Sequence, residues 1–214
     1  MADNYLGRKM EEYMARSAAG GTPPRPAQSL ERLLRRNRSY RGYDARFIVR
    51  EDQLRRIIAV NTLTPSARNR QVLRFRPVLS DEAPAVLPHL RMGGALPELR
   101  LPAPGTEPNA FIVVCSTAEE SREVSIDLGI AVQSMLLQAA EIGLNGLCIG
   151  AFDREAVRRA LHLPLEPSLV VAIGKGAERI ELTTVDADAE RAYYRRDGIH
   201  YVPKLRTEDL ILKK

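Results

Sequence analysis

The run from Ser125 to Leu144, SIDLGIAVQSMLLQAAEIGL, constrains the fold more than any other stretch. Its spacing predicts one long helix, apolar nearly all round, with only Asp127, Gln133, Ser134, Gln138 and Glu141 breaking the surface. Such a helix has no wide polar face to give to water, so other elements must pack around it in the middle of a fold. Gly143 supplies a stop. A second constraint is AFIVVCS at 110 to 116, which reads as a strand buried on both faces because it is apolar on both.

Around these two elements the pattern alternates. Ser29 to Tyr40 and Arg50 to Asn61 read as helices, the second with Leu54, Ile57 and Ile58 on one face. Phe75 to Ser80 and Ser168 to Ile173 read as strands, Leu147 to Ile149 as a short apolar segment, and Arg154 to Leu161 as a further helix. Pro97, Pro102, Pro104 and Pro108, with Gly105 among them, argue against regular structure between the first two strands. The GKG at 174 to 176 lacks the length and spacing of a nucleotide-binding loop and reads as a turn. Interleaved helices and strands give a mixed class.

At the N-terminus, Tyr5, Leu6, Met10, Tyr13 and Met14 make one apolar stripe on a helix, and Gly20, Gly21, Pro23, Pro24 and Pro26 end it. Residues 1–26 are expected to form an arm and linker, lying across a partner subunit or folded back on their own chain. Residues 27–214 are expected to form one domain.

Composition closes off several classes. With 214 residues, 44% of them hydrophobic, the chain can close a substantial core, which excludes a disordered or fibrous protein. Cys115 and Cys148 each sit in an apolar run, as in a reducing, cytoplasmic setting. His89, His162 and His200 are too far apart, with no cysteine cluster, for a structural metal site. No stretch reaches the roughly 18–20 apolar residues of a membrane span, so no membrane partner is expected.

The charge is unevenly placed. The net charge is only +5, yet Arg25 to Arg76 holds fourteen arginines against Glu31, Asp44, Glu51 and Asp52. For most of these arginines a solvated basic face is a sufficient explanation. The exception is the tight group Arg35, Arg36, Arg38, Ser39 and Arg41 at a helix end, where guanidinium forks and a hydroxyl converge as phosphate binding requires. Nucleic acid is the rival ligand, but neither interleaved aromatics nor a recognisable helical module is present, and Tyr40 and Tyr43 alone read as packing residues. No nucleic-acid partner is expected. A second constellation is TPSARNRQ at 64 to 71: Pro65 and Ser66 favour a turn, and Asn69 and Gln71 each offer a donor and an acceptor suited to a planar heterocycle. On its own it is an ordinary polar loop.

RSYRGY at 38 to 43, TPSARNRQVLRF at 64 to 75, DLGIAVQSMLLQAAEIGLNGLCIGAF at 127 to 152 and YYRRDGIHYVPK at 193 to 204 together resemble the FMN-dependent nitroreductase family, in order and spacing and over almost the whole chain. The last segment resembles a small bacterial branch in particular. The resemblance implies an α+β sandwich, a central mixed or antiparallel sheet flanked by helices, in an intertwined homodimer holding two FMN molecules at the subunit interface. By the same resemblance Arg38 and Ser39 hold the phosphate side, and Arg41 approaches the ring edge where positive charge stabilises reduced flavin. Pro65, Ser66, Ala67 and Asn69 come from the other subunit, with Gln71 nearby. Cys148, Ile149 and Gly150 lie along the flavin, and Lys204 and Arg206 are a late basic pair on the phosphate.

This chain departs from the family pattern in places. Asn37 stands where many members carry Arg, Val72 and Leu73 replace a proline and a large aromatic, and Arg91, Met92, Gly93 and Gly94 replace an aromatic-rich wall. Met92 would then line a roomier cofactor pocket. No paired-carboxylate or Ser-His-Asp set is visible, as expected where a flavin ring carries the chemistry and no protein group is catalytic. His200 reads as a satisfied structural histidine, and Cys148 as a small hydrophobe or a pocket-lining residue. The activity implied is hydride transfer from NADH or NADPH through FMN to a small electron-poor acceptor such as a nitro compound or quinone. The alternative is a flavin-sequestering protein without turnover.

Overall fold

Strand pairing puts AFIVVCS in the interior of an antiparallel sheet. The computed structural model describes residues 29–94, 96 and 99–212; the arm expected over 1–26 lies outside them. The sheet holds β1 (Leu73–Val78), β2 (Ala110–Ser116), β3 (Asn145–Ile149) and β4 (Pro167–Gly174) in the order β1-β2-β4-β3, every pair antiparallel. Period-two alternation divides β2 between two cores. Phe111, Val113 and Cys115 face one, with Leu147, Ile149, Val170 and Ala172 of the neighbouring strands. Ala110, Ile112 and Val114 face the other, with Val171 and Ile173.

Helices cover both faces. Below α1 (Leu30–Arg36) in the chain come α2 (Glu51–Ala59), which buries Leu54 and Ile57, and α4 (Arg122–Glu141), which buries Val132, Met135, Leu136 and Ala139; these two fill the second core. The short α3 (Ala83–Val86) and α5 (Arg154–Ala160) close the first core with Val86, Val157 and Leu161. Ser121 caps α4 by accepting from Val124 N at 3.3 Å, and Asp153 caps α5 by accepting from Ala156 N at 2.9 Å. This is the α+β sandwich expected, but α4 is not enclosed all round: it buries Val132, Met135, Leu136 and Ala139 against the sheet and leaves Ser125, Ile126, Gly129 and Gln133 exposed. One residue of α4 corrects the sequence reading: Asp127 does not break the surface but is 6% exposed and accepts from Ala67 N at 2.9 Å. A carboxylate inside a helix is buried only where a backbone donor meets it, and the 3₁₀ turn Ala67–Asn69 brings that donor.

A second, three-stranded sheet follows: β5 (Arg179–Val185), β6 (Tyr194–Arg196) and β7 (Ile199–Leu205) in the order β5-β7-β6. β5 and β7 run parallel and β6 and β7 antiparallel. Asp197 and Gly198 join β6 to β7 with φ of 52° and 75°, the paired positive values of a two-residue hairpin loop whose twist matches its strands. A short helix, α6 (Thr207–Leu210), follows β7. Among the described residues no helix is long and apolar enough to cross a membrane.

Candidate functional site

The site is built on the free edge of β3. The segment after α1 runs alongside that edge, with Ser39 bridging Gly146 in parallel and Tyr40 N donating to Gly146 O at 3.3 Å. Gly146 is required there, because a Cβ would stand 2.5 Å from Leu136 Cδ2 and 2.8 Å from Ala172 O. This pairing aims Arg38 and Arg41 at a cleft of about 320 Å³ floored by Gly146 and Cys148 of β3 and by Gln133 and Leu136 of α4. The opposite wall comes from the second sheet: Ile180 of β5, Tyr193, and His200, Val202 and Lys204 of β7. Residues 200, 202 and 204 share one strand face because side chains alternate with period two.

Glu178 fixes the two walls together. Its carboxylate accepts from Arg41 N and from Gly42 N, the latter at 3.1 Å, and pairs with the Arg195 guanidinium. Tyr43 anchors the same segment from beneath: it is buried, its hydroxyl donates to Tyr40 O at 2.9 Å, and burial pushes its phenol well above the ordinary tyrosine range.

Within the cleft the electrostatics are one-sided. Arg38, Arg41 and Lys204 line it, and among the described residues no aspartate or glutamate does. Arg38 Nη2 donates to Leu34 O at 2.6 Å, and burial lowers the pKa of its guanidinium. Arg41, 9% exposed, donates from Nη1 to Ser39 O at 3.1 Å and lays its guanidinium over the Tyr193 ring, 4.7 Å from the centroid. The Tyr193 and His200 rings stand 5.1 Å apart at 57°. Arg38 Nε, Arg41 Nε and His200 Nδ1 are buried without a hydrogen-bond partner. Buried polar atoms are normally satisfied, and three orphans on residues around one cleft set it apart as a candidate binding site. His200 is therefore not the satisfied structural histidine its sequence context suggested. Burial, then the charges of Arg41 and Arg195, lower its pKa against the opposing pull of Glu178, which favours the neutral imidazole.

The residues expected at the site are divided among several surfaces. Arg38, Ser39, Arg41, Cys148 and Lys204 share the cleft. Cys148 opens to it, but the concave wall desolvates the thiol and raises its pKa, which leaves it a poor nucleophile. Ile149 points the other way, into the first core. Gly150 lies in a separate hollow with His89, Arg91 and Asp153. Met92 bridges Leu101 and packs against the first core, and Arg206 is ion-paired with Asp186 and Asp209. Pro65, Ser66 and Gln71 line another cleft, of about 230 Å³, beside α2 and β1. Ala67 borders a shallow apolar hollow with Ile126 and Ile130. Asn69 Oδ1 accepts from Gln71 Nε2 at 3.0 Å, and both residues have positive φ. Asn37 lines the cleft and donates to Gln133 Oε1 at 3.4 Å; Arg36 is not part of the lining. The sequence reading missed Tyr193, His200 and Glu178 as site residues.

Most of the other arginines in the basic stretch meet carboxylates. Arg35, Arg46, Arg50, Arg55, Arg56, Arg68, Arg70 and Arg76 are all ion-paired with carboxylates. Exposed pairs of this kind contribute little stability, but they remove those cations as a free phosphate-binding face.

Comparison with known proteins places the fold. The model of the Nitroreductase family matches residues 34–175, about two thirds of the chain. The chain belongs to the nitroreductase family. No curated protein matches the sequence. Among solved structures, a nitroreductase family protein from Streptococcus pneumoniae is similar with a TM-score of 0.63 at 15% identity, over 87% of this chain and 100% of that one. An FMN-dependent nitroreductase from Clostridium difficile gives 0.57 at 21% identity, over 70% of this chain and 89% of that one. A protein described as a nitroreductase, from Desulfovibrio desulfuricans and in complex with FMN, gives 0.58 at 23%, over 71% and 88%. At these identities the neighbours establish the nitroreductase fold. The matched segment stops before β5, so Tyr193, His200 and Lys204 reach the cleft from outside it.

Proposed function

We propose that this nitroreductase-family chain is an FMN-dependent oxidoreductase that passes electrons from NADH or NADPH to a small electron-poor acceptor such as a nitro compound or quinone. The observation that carries the reading is the cleft itself: three cations without a lining carboxylate, and three buried nitrogens without partners. FMN fits that chemistry, with an anionic phosphate for the cations and a heterocycle rich in acceptors for the orphaned donors. The volume falls at the lower end of the roughly 300–1,000 Å³ of small-molecule sites. When bound, the cofactor supplies reversible two-electron transfer between a nicotinamide donor and the acceptor.

The chain's own residues bind, orient and shield. Arg38, Ser39 and Lys204 hold the phosphate side. Arg41, fixed by Tyr193 and by the Glu178 clamp on its backbone, holds positive charge at a constant place. The apolar side chains of Leu136, Ile180 and Val202 limit water in the cleft. No protein nucleophile is called for, in keeping with a protonated Cys148 thiol.

The working form in this reading is a homodimer. Pro65, Ser66 and Gln71 line a cleft of their own within the chain, and a second copy brings this group to the Arg38 cleft. Large apolar side chains stand exposed close by, Leu63 at 87% and Ile126 at 52%. Titrating apoprotein with FMN tests the site: flavin fluorescence is expected to quench to a stoichiometry of one per chain. Absence of quenching at micromolar protein contradicts the reading.

A further inference from the structure

β7 presents His200, Val202 and Lys204 to the cleft in a row, spanning roughly 14 Å from the first to the last at about 3.4 Å per residue. The two ends of that row differ. His200 is 4% exposed, packed on the Tyr193 ring and within the field of Arg41 and Arg195, whereas Lys204 is exposed at the cleft's edge. A multiply charged phosphate is costly to take out of water, while a flat heterocycle is not. A ligand with one anionic and one heterocyclic end therefore lies with its anion at Lys204 and its ring at His200.

We infer that His200 contacts the ring end of the bound flavin through Nδ1, making it a cofactor-contacting residue that stands outside the matched family segment. The inference rests on the flavin reading above. His200 lines the cleft, and its Nδ1 is enclosed and unpartnered, so a turn of the imidazole that opens Nδ1 to the ligand gives it the hydrogen bond the chain does not supply. Because its surroundings favour the neutral imidazole, the contact adds a directed hydrogen bond without adding a fourth cation. Tyr193 holds the ring plane, and Arg41 holds Tyr193 in turn.

The test compares FMN with riboflavin, which lacks the phosphate, by fluorescence titration of wild-type apoprotein, His200→Phe and Lys204→Ala. His200→Phe keeps a ring against Tyr193 and removes the nitrogen. It is expected to weaken FMN and riboflavin binding alike, each about tenfold, the effect of one good hydrogen bond. It is also expected to shift the visible band of the bound flavin. Lys204→Ala is expected to weaken FMN and spare riboflavin. Equal affinities in His200→Phe and wild type for both ligands overturn the inference. So does a loss confined to FMN, which would move His200 to the phosphate end. Wild-type protein that binds neither ligand removes the flavin reading itself and this inference with it. Should His200→Phe fail to fold, ¹⁵N NMR of the wild-type imidazole serves instead: Nδ1 is expected to move on adding riboflavin and to stay in place with inorganic phosphate. The reverse pattern overturns the inference.

Discussion

Among the basic residues near the N-terminal end of the described chain, Arg38 and Arg41 are distinguished by what surrounds them. Both point into a concave surface with a buried Nε unsatisfied, whereas most of their neighbours are neutralised at the surface. Arg41→Ala is expected to raise the FMN dissociation constant about 10- to 100-fold, the effect of a charge-assisted hydrogen bond; Arg46→Ala, whose partner is the exposed Asp44, is expected to leave it within about twofold. Fluorescence titration of the two variants separates a placed cation from a merely basic surface. His200 has a consequence for stability as well. Its folded pKa lies below the ordinary value of about 6.5, so between the two values the unfolded chain binds a proton that the folded chain refuses. Its contribution is intact above about pH 6.5 and is lost progressively as pH falls below it. Denaturant unfolding of the apoprotein is expected to show a smaller loss on acidification in His200→Phe than in wild type.

At the scale of elements, the second sheet matters because it is the cleft's far wall, and one carboxylate ties it to the first. Removing Glu178 leaves the Arg41 and Gly42 amides and the Arg195 guanidinium without their acceptor. Glu178→Ala is expected to cost about 1–3 kcal/mol, and a chain of this length loses about 2–4 °C of Tm per kcal/mol. Calorimetry is expected to show that drop, with weaker FMN binding alongside. Gly146→Ala tests the floor: with Leu136 and the Ala172 carbonyl in the way, overpacking is expected to cost about 1–3 kcal/mol in the same measurement. β1, β2 and β4 of the first sheet and the helices α2, α4 and α5 were legible in the sequence because their signals are local: an all-apolar strand has to be buried on both faces, and a periodic apolar run has to pack against the sheet; the short α3 carried no such signal, and α4 keeps an exposed stripe that its composition did not announce. Asp127 was misread because a carboxylate in a helix is buried only when a distant backbone amide meets it, and nothing near it announces Ala67. β6 and β7 were legible in principle, since Asp197-Gly198 between alternating residues is a hairpin signal. Ile180 and Leu182 likewise alternate along β5. The orphaned Nδ1 of His200 had no sequence signal, because the absence of a partner is a property of the packed neighbourhood alone.

At the scale of the molecule, two groups of candidate flavin contacts lie on separate surfaces of one chain, which the proposed dimer explains. Leu63→Glu or Ile126→Glu is expected to lower dimer stability and FMN affinity together, read by light scattering and by titration; loss of one without the other separates assembly from the site. The central claim is that the Arg38–Lys204 cleft carries a redox-active flavin, and the most direct measurement is the visible spectrum of FMN-loaded protein in an anaerobic cuvette, first with NADH and then with NADPH. The account predicts flavin absorption that bleaches within seconds with one of the donors and returns on adding a quinone or nitro compound. Flavin bands unchanged by both donors would contradict turnover, and protein that stays colourless after incubation with FMN would contradict the site.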